Sequence, residues 1–248
     1  MKKIIGIFLL SLLVISSCSS NKNIKLAKGL SVYYPLNGNV NDVKNKTNLI
    51  FNNATLTTDR FGKANSAYHF NGIDNYIQIQ NNPAINFKKS ISICIWARPT
   101  GFYYGTCHSN RILMKGESDY TPGNYTIAFD EALYSPGTAC SSPLTDTIHQ
   151  NFRSVADQNS YTPYITKGKW TSIIFTCDQH ISRLYIDGLL KDSLKLTDGV
   201  TFTNQSDLFF GKLNNDSFPY WYNGDLDDVR IYNRIINPLE IKKIAEVR

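Results

Sequence analysis

Glutamate is scarce in this chain, with four residues (Glu117, Glu131, Glu240 and Glu246) against sixteen aspartates. Histidine is equally rare, and His69, His108, His149 and His180 are scattered without metal-ligand spacing. None of the five cysteines stands in a C-x-x-C pair, which argues against a thiolate metal site. There is no G-x-S-x-G elbow, phosphate-binding loop or dinucleotide fingerprint, so the chemistries those motifs serve have no foothold. The formal charge of +6 is mild and the basic residues are scattered, apart from Lys242-Lys243 on a predicted helix face. No basic stripe of the kind that tracks a nucleic-acid backbone is present. Beyond residue 15 no apolar run approaches the roughly 20 residues of a membrane-spanning helix. No internal repeat is visible.

What is present is turn and strand chemistry. Asp, Asn and Gly tolerate left-handed backbone and bond to their own main chain, and fifteen Tyr with thirteen Phe suit strands. Short runs of β-formers recur between turn signals: Ser31–Leu36, Ala67–Phe70, Tyr76–Ile79, Ile91–Ala97, Arg111–Met114, Tyr125–Phe129, Trp170–Cys177, Arg183–Ile186, Leu208–Phe210 and Asp225–Tyr232. In one of them Ile91, Ile93, Ile95 and Ala97 share a face by period-two alternation. Asp187-Gly188 between two apolar runs predicts a tight hairpin with positive φ at both residues. A single helix is predicted at the end, where Asn237 caps, Pro238 takes the first helical position and Glu240 the third. Residues 130–165 carry the least pattern and read as a long loop.

The first residues read as an address. Lys2 and Lys3 precede Ile4 to Ile15, an apolar run too short to span a bilayer and shaped like a secretory signal. Ile15-Ser16-Ser17-Cys18 resembles the lipobox of bacterial lipoproteins, which implies removal of residues 1–17 and lipidation of Cys18. The alternative is an ordinary secretory signal with an incidental cysteine. Residues 18–29 then form a tether, and 30–248 the domain, with membrane attachment through the lipid alone. Ser19, in place of an aspartate, implies an outer-membrane lipoprotein of the cell envelope. An exported chain meets an oxidising compartment. Cys107 and Cys140, both in Gly/Ser/Pro-rich text, are expected to pair across the long loop. Cys94 and Cys177 sit in strand-like runs as small buried hydrophobes, with a bridge between them as the alternative.

Five segments, in order, resemble the laminin G-like, concanavalin A-like lectin/glucanase superfamily. They are Tyr33 to Asp42; Asp59-Arg60-Phe61-Gly62-Lys63-Ala64 with Ala67 to Ile77; Ser90 to Pro99; Lys169-Trp170 with Leu184 to Gly188; and Gly224 to Arg234 with the Glu240 helix. The resemblance implies an all-β, two-sheet antiparallel jelly-roll β-sandwich with one short C-terminal helix. It also implies a structural calcium held by Asp227, the carbonyl of Pro35 and a group near Asp74. By alternation Asp227 faces the same side as Val229 and Ile231, where an unpaired carboxylate is costly. Calcium is one partner for it, and hydrogen bonds to Arg230, Arg234 or turn amides are the other.

The superfamily's glucanases carry E-x-D-x-x-E or E-x-D-x-x-x-E, two carboxylates for glycoside hydrolysis. Here Glu117-Ser118-Asp119 is followed by Pro122 and Gly123 where the second acid belongs. The expectation is therefore a non-enzymatic module, with a glycoside hydrolase third in order. Loop aromatics Tyr103, Tyr104, Tyr220, Trp221 and Tyr222 are candidates for stacking on sugar rings, or else for covering the ends of the sandwich. Carbohydrate is the expected partner, a surface protein the runner-up, and nucleic acid is not expected.

Overall fold

Alternating residues make each strand run a two-faced ribbon, and a computed structural model shows how the ribbons close. It describes residues 25–101, 103, 109–118, 121–130, 151–154, 158–161, 165–196 and 199–246. The N-terminal segment with Cys18, and the loop residues Tyr104, Cys107 and Cys140, lie outside the described residues.

The strands are β1 (Leu30–Tyr34), β2 (Leu49–Asn52), β3 (Thr55–Thr57), β4 (Ala67–Asn71), β5 (Ile77–Ile79), β6 (Ile91–Pro99), β7 (Ser109–Lys115) and β8 (Tyr125–Asp130). They continue as β9 (Asn151–Ser154), β10 (Gln158–Tyr161), β11 (Thr171–Cys177), β12 (Ile181–Ile186), β13 (Leu189–Lys195), β14 (Leu208–Phe210) and β15 (Asn223–Tyr232), followed by helix α1 (Pro238–Glu246). An eight-stranded antiparallel sheet runs β13-β12-β11-β6-β15-β4-β3, with β1 also on β15. A five-stranded sheet runs β2-β5-β14-β7-β8. The result is the expected two-sheet antiparallel sandwich with one C-terminal helix. The stretch read as a loop is not all loop: β9 and β10 pair as a two-stranded hairpin within it.

The two inner faces supply one core. Ile91, Ile93, Ile95 and Ala97 of β6 meet Ile77, Ile79, Leu208 and Phe210 of the other sheet's strands in one buried cluster. Large side chains buried in this way each contribute about 1.5–3 kcal/mol. Three core tyrosines keep their hydroxyls partnered, as burial requires. Tyr125 donates to the Ile85 carbonyl at 3.0 Å, Tyr222 donates to the Asp225 carbonyl at 3.0 Å, and Tyr34 shares a hydrogen with Thr47 Oγ1 at 2.7 Å.

Two local signals are realised as read. Asp187 and Gly188 turn β12 into β13 with φ of 49° and 79°. At α1, Asn237 Oδ1 accepts from the N–H groups of Leu239 and Glu240, while Glu240 Oε2 accepts from the Asn237 N–H. This reciprocal box sets the helix on the outer face of the large sheet, where Ile241 and Ile244 cover Cys94, Ile174 and Tyr232. Cys94 is thereby buried on the outer face and Cys177 in the core between the sheets; both are free thiols. They do not form the alternative bridge, because the pleat points them to opposite sides of the sheet.

β15 departs from simple alternation. Its register with β6 shifts between Asp227 (opposite Trp96) and Arg230 (opposite Cys94), and Asp228 has a φ of 53°. One extra residue at a bulge reverses which side the following residues face. Asp227 therefore does not share a side with Val229 and Ile231. Those two belong to the core, while Asp227 lies on the outer face beside Trp96.

Candidate functional site: a ring platform outside the small sheet

Phe209 in β14 and Gln78 in β5 point away from the core, since Leu208, Phe210, Ile77 and Ile79 point into it. Tyr76, one residue before β5, continues that outward side. Its backbone is clamped by Asn53, whose Oδ1 accepts from the Tyr76 N–H at 2.8 Å and whose N–H donates back to the Tyr76 carbonyl. The preceding turn is closed by Asn71, whose Oδ1 accepts from the N–H groups of Ile73, Asp74 and Asn75. Phe51 stacks on Tyr76 with centroids 4.6 Å apart, and Trp221 tilts against it at 6.0 Å.

Trp221 reaches this position through the loop that follows β14. Gly211 has a φ of 91°, and a Cβ there would stand 2.3 Å from Phe70. Only glycine fits this turn, which breaks the strand's alternation and sends Lys212 to the ring side. The loop closes on itself through the Leu213 N–H to Pro219 carbonyl bond (2.7 Å) and the Tyr222 N–H to Gly211 carbonyl bond (2.9 Å). Lys212 Nζ then lies 4.9 Å from the Tyr76 centroid, 5.0 Å from Trp221 and 5.8 Å from Phe209. Alongside, Tyr220 contacts Tyr103 edge-on at 6.4 Å and Phe218 at 6.1 Å, with Arg111 beneath it at 5.1 Å. Tyr76, Tyr103, Tyr220 and Trp221 are half-buried, and Phe51 and Phe218 are exposed. Rings inclined at 27° to 82° to one another, packed around the cations Lys212 and Arg111, are what this side of the molecule presents.

Of the expected ring residues, Tyr103 and Tyr220 meet each other, while Trp221, next in sequence to Tyr220, packs against Tyr76. Tyr222 does not join them. It is fully buried against Phe70 and Phe129, because the chain re-enters the sheet there. Tyr104 lies outside the described residues. Sequence reading missed Phe51, Tyr76 and Lys212; the alternation Tyr76-Ile77-Gln78-Ile79 was the signal available for Tyr76.

The outer face of the large sheet carries a second polar group. Asp225, 1% exposed, accepts from Arg98 Nε at 2.6 Å and pairs with His69 Nδ1 at 2.8 Å. Arg60 spans Asp227 and Asp228, and Arg230 closes on Asp228 at 2.7 and 3.0 Å. Arg60 also lies over Trp96, and Arg98 over Trp170, at 5.0 and 5.2 Å. A cleft of about 520 Å³ lies between these tryptophans.

A family model described as the concanavalin A-like lectin/glucanases superfamily matches residues 70–242, well over half of the chain. The chain belongs to this superfamily. No curated protein matches it. Among solved structures it is similar to domain 4 of AbnA, a GH43 extracellular arabinanase from Geobacillus stearothermophilus, in complex with arabinotriose. That likeness has 18% identity and a TM-score of 0.59, and covers 88% of this chain and 98% of that one. It is also similar to the binding domain of Paraclostridial Mosquitocidal Protein 1, with 20% identity, a TM-score of 0.61 and coverage of 88% and 52%. The botulinum neurotoxin serotype D binding domain gives 13%, 0.60, 88% and 50%. The chain thus spans about half the length of these toxin domains. At such identities the likeness is one of fold.

Two expectations drawn from the lectin/glucanase superfamily can now be placed. Pro35 and Asp227 line one cleft of about 310 Å³, together with Asp59 and Asp228. Asp74 is not among its lining residues; its carboxylate accepts from the side-chain amides of Asn71 and Asn75 in the β4–β5 turn. The cleft also holds Arg60, Lys63 and Arg230. Calcium takes six to eight oxygens; here Asp227 and Asp228 face guanidinium groups and Asp59 accepts from the Phe61 and Lys63 N–H groups, so this donor set does not fit the ion. Arg60, and not Arg230 or Arg234, is the partner of Asp227; Arg234 is taken by Glu240 at 2.6 and 2.8 Å. Burial pushes the Asp227 carboxyl up to about 7, against the pull of Arg60. Glu117 stands exposed in the loop after β7, its N–H bonded to Thr121 Oγ1, and Asp119 lies outside the described residues.

Proposed function

We propose that this chain is a non-catalytic module that binds extracellular carbohydrate on the ring platform of Tyr76, Tyr103, Tyr220 and Trp221. The observation that carries this reading is the set of half-buried rings on the outside of the small sheet, packed around Lys212 and Arg111. Apolar faces of pyranose and furanose rings lie on aromatic side chains of this kind, and the side-chain amides of Asn53, Asn71 and Asn75 are used to hold the turn that positions Tyr76. The arabinotriose complex of the similar arabinanase domain supports the same class of ligand. The non-catalytic part rests on Glu117, which lacks a second acid at positions 122 and 123. Lipidation at Cys18 would present the module at the cell envelope, probed by radiolabelled palmitate incorporation that Cys18→Ala abolishes.

The test is a glycan array with the purified protein, alongside Trp221→Ala. Losing a central aromatic anchor costs about 2 kcal/mol or more, so affinity for the selected glycan is expected to fall roughly thirtyfold. A blank array from folded protein overturns the reading in favour of a surface-protein partner. New reducing ends released from a bound polysaccharide would overturn its non-catalytic part.

A further inference from the structure

Lys212 is 8% exposed, and its ammonium, which still reaches solvent, has no hydrogen bond or ion pair to the described residues. Three ring faces surround it, those of Tyr76, Trp221 and Phe209. Asp216 acts on it electrostatically but makes no contact within ion-pair distance. The other buried lysine shows what a satisfied ammonium looks like in this fold: Lys115 Nζ donates to both the carbonyl and Oδ1 of Asn204, each at 2.9 Å. Ring faces attract a cation but accept no strong hydrogen bond, so Lys212 keeps unused donors at the centre of the platform.

Resting on the carbohydrate reading above, we propose that the ligand is an acidic glycan, a polysaccharide of uronate sugars, whose carboxylate pairs with Lys212 while its ring lies on Trp221. The geometry suits such a ligand in two respects. A sugar ring seated on Trp221 brings its exocyclic carboxylate within reach of an ammonium placed about 5 Å from the same indole. The ammonium is also held in place, because the turn at Gly211 and the closed 211–222 loop fix the lysine's origin. A preorganised donor loses little entropy on pairing. In a partly dehydrated setting a charge-assisted bond is stronger than a neutral one. A neutral glycan would instead bury the ammonium further without supplying an anion, which disfavours it.

The experiment is a calorimetric titration of the purified protein with oligomers of polygalacturonate, alginate and hyaluronan, each beside its methyl-esterified form. The esters keep the ring surfaces and remove only the charge. At least one acid is expected to bind about tenfold or more tighter than its ester, as befits one charged hydrogen bond. Lys212→Met keeps the apolar stem and removes the ammonium. It is expected to bring acid binding down to the level of the ester and leave ester binding unchanged. Trp221→Ala should weaken both roughly thirtyfold. Equal affinity for acid and ester, or a Lys212→Met loss shared equally by the two, overturns the acidic-glycan assignment while leaving the platform intact. Failure of every acid and ester, with a neutral glycan such as arabinan binding through Trp221, overturns the assignment alone. If arabinan also fails, the platform reading falls with it.

Discussion

Removing Arg60 is the most informative perturbation of the fold, because one guanidinium holds two aspartates. Arg60, Asp227 and Asp228 have side chains only 6%, 4% and 10% exposed. Taking away one partner of a buried ion pair leaves an uncompensated charge, which costs about 3–5 kcal/mol. Arg230 still serves Asp228, so the orphan is Asp227. In Arg60→Met the stem continues to cover Trp96, and the charge alone is lost. Burial already lifts the Asp227 pKa from 3.8 to about 7, and Arg60 is the main influence lowering it. A carboxyl raised in this way supports the fold fully below pH 4, and its support is lost as pH rises through 7. Without Arg60 the folded value climbs further, so the variant's deficit is smaller at pH 5 than at pH 8. Urea denaturation should show a loss about 1.4 kcal/mol larger at pH 8 than at pH 5, because at pH 8 an Asp227 with a pKa of about 7 can neutralise at the cost of one pH unit. Adding Asp227→Asn should recover most of it, since neither side then carries a buried unpaired charge. An equal loss at both pH values, or no recovery with Asn, would refute the electrostatic account and make Arg60 a packing residue over Trp96 and Phe61. Chelator should leave the wild-type melting temperature unchanged, because guanidinium groups face these carboxylates. A fall of several degrees would show that an ion takes their place.

Three other outcomes are expected. Lys115 is fully buried, and burial holds its pKa down at about 8, below the usual 10.5. Stability should therefore rise between about pH 8 and 10.5, where the unfolded chain binds the extra proton, and Lys115→Met should flatten that rise in pH-dependent denaturation. Tyr222→Phe should cost about 1–3 kcal/mol, because the Asp225 carbonyl loses its buried donor; glycan affinity should stay the same, the reverse of Trp221→Ala. Asn237→Ala should cost about 1 kcal/mol by removing the cap, and alkylation of Cys94 beneath α1 should quicken while that of Cys177 does not.

The parts of this fold that could be read in advance are those in which neighbours in sequence decide the outcome. Ile91 to Ala97 need only the pleat to sort them into core and surface, and Asn237 with Glu240 need only one helical turn to satisfy each other. Asp187-Gly188 likewise carries its own turn geometry. Alternation failed at Asp227 because it assumes an unbroken pleat, whereas the left-handed Asp228 inserts a residue and turns the carboxylate outward. Its partner, Arg60, lies 167 residues earlier, beyond any local pattern.

The platform shows the same division. Tyr220, Trp221 and Tyr222 look equivalent in sequence, but the last is the first to re-enter the sandwich and fills its core, while the others stay outside. Tyr76 and Lys212 are brought to Trp221 by separate devices, the Asn53 clamp and the glycine turn at 211. Neither device is visible until the two loops are seen side by side. Both inner faces of the sandwich are filled, so recognition must be built from residues that the pleat or a turn sends outward. Rings in that position cost the fold little and are free to meet a ligand. A lysine among them without a hydrogen-bond partner is harder to account for by stability alone. Its stem could pack as well on an uncharged side chain, and the Lys212→Met variant separates those two roles by asking whether the fold or only the acid's affinity changes.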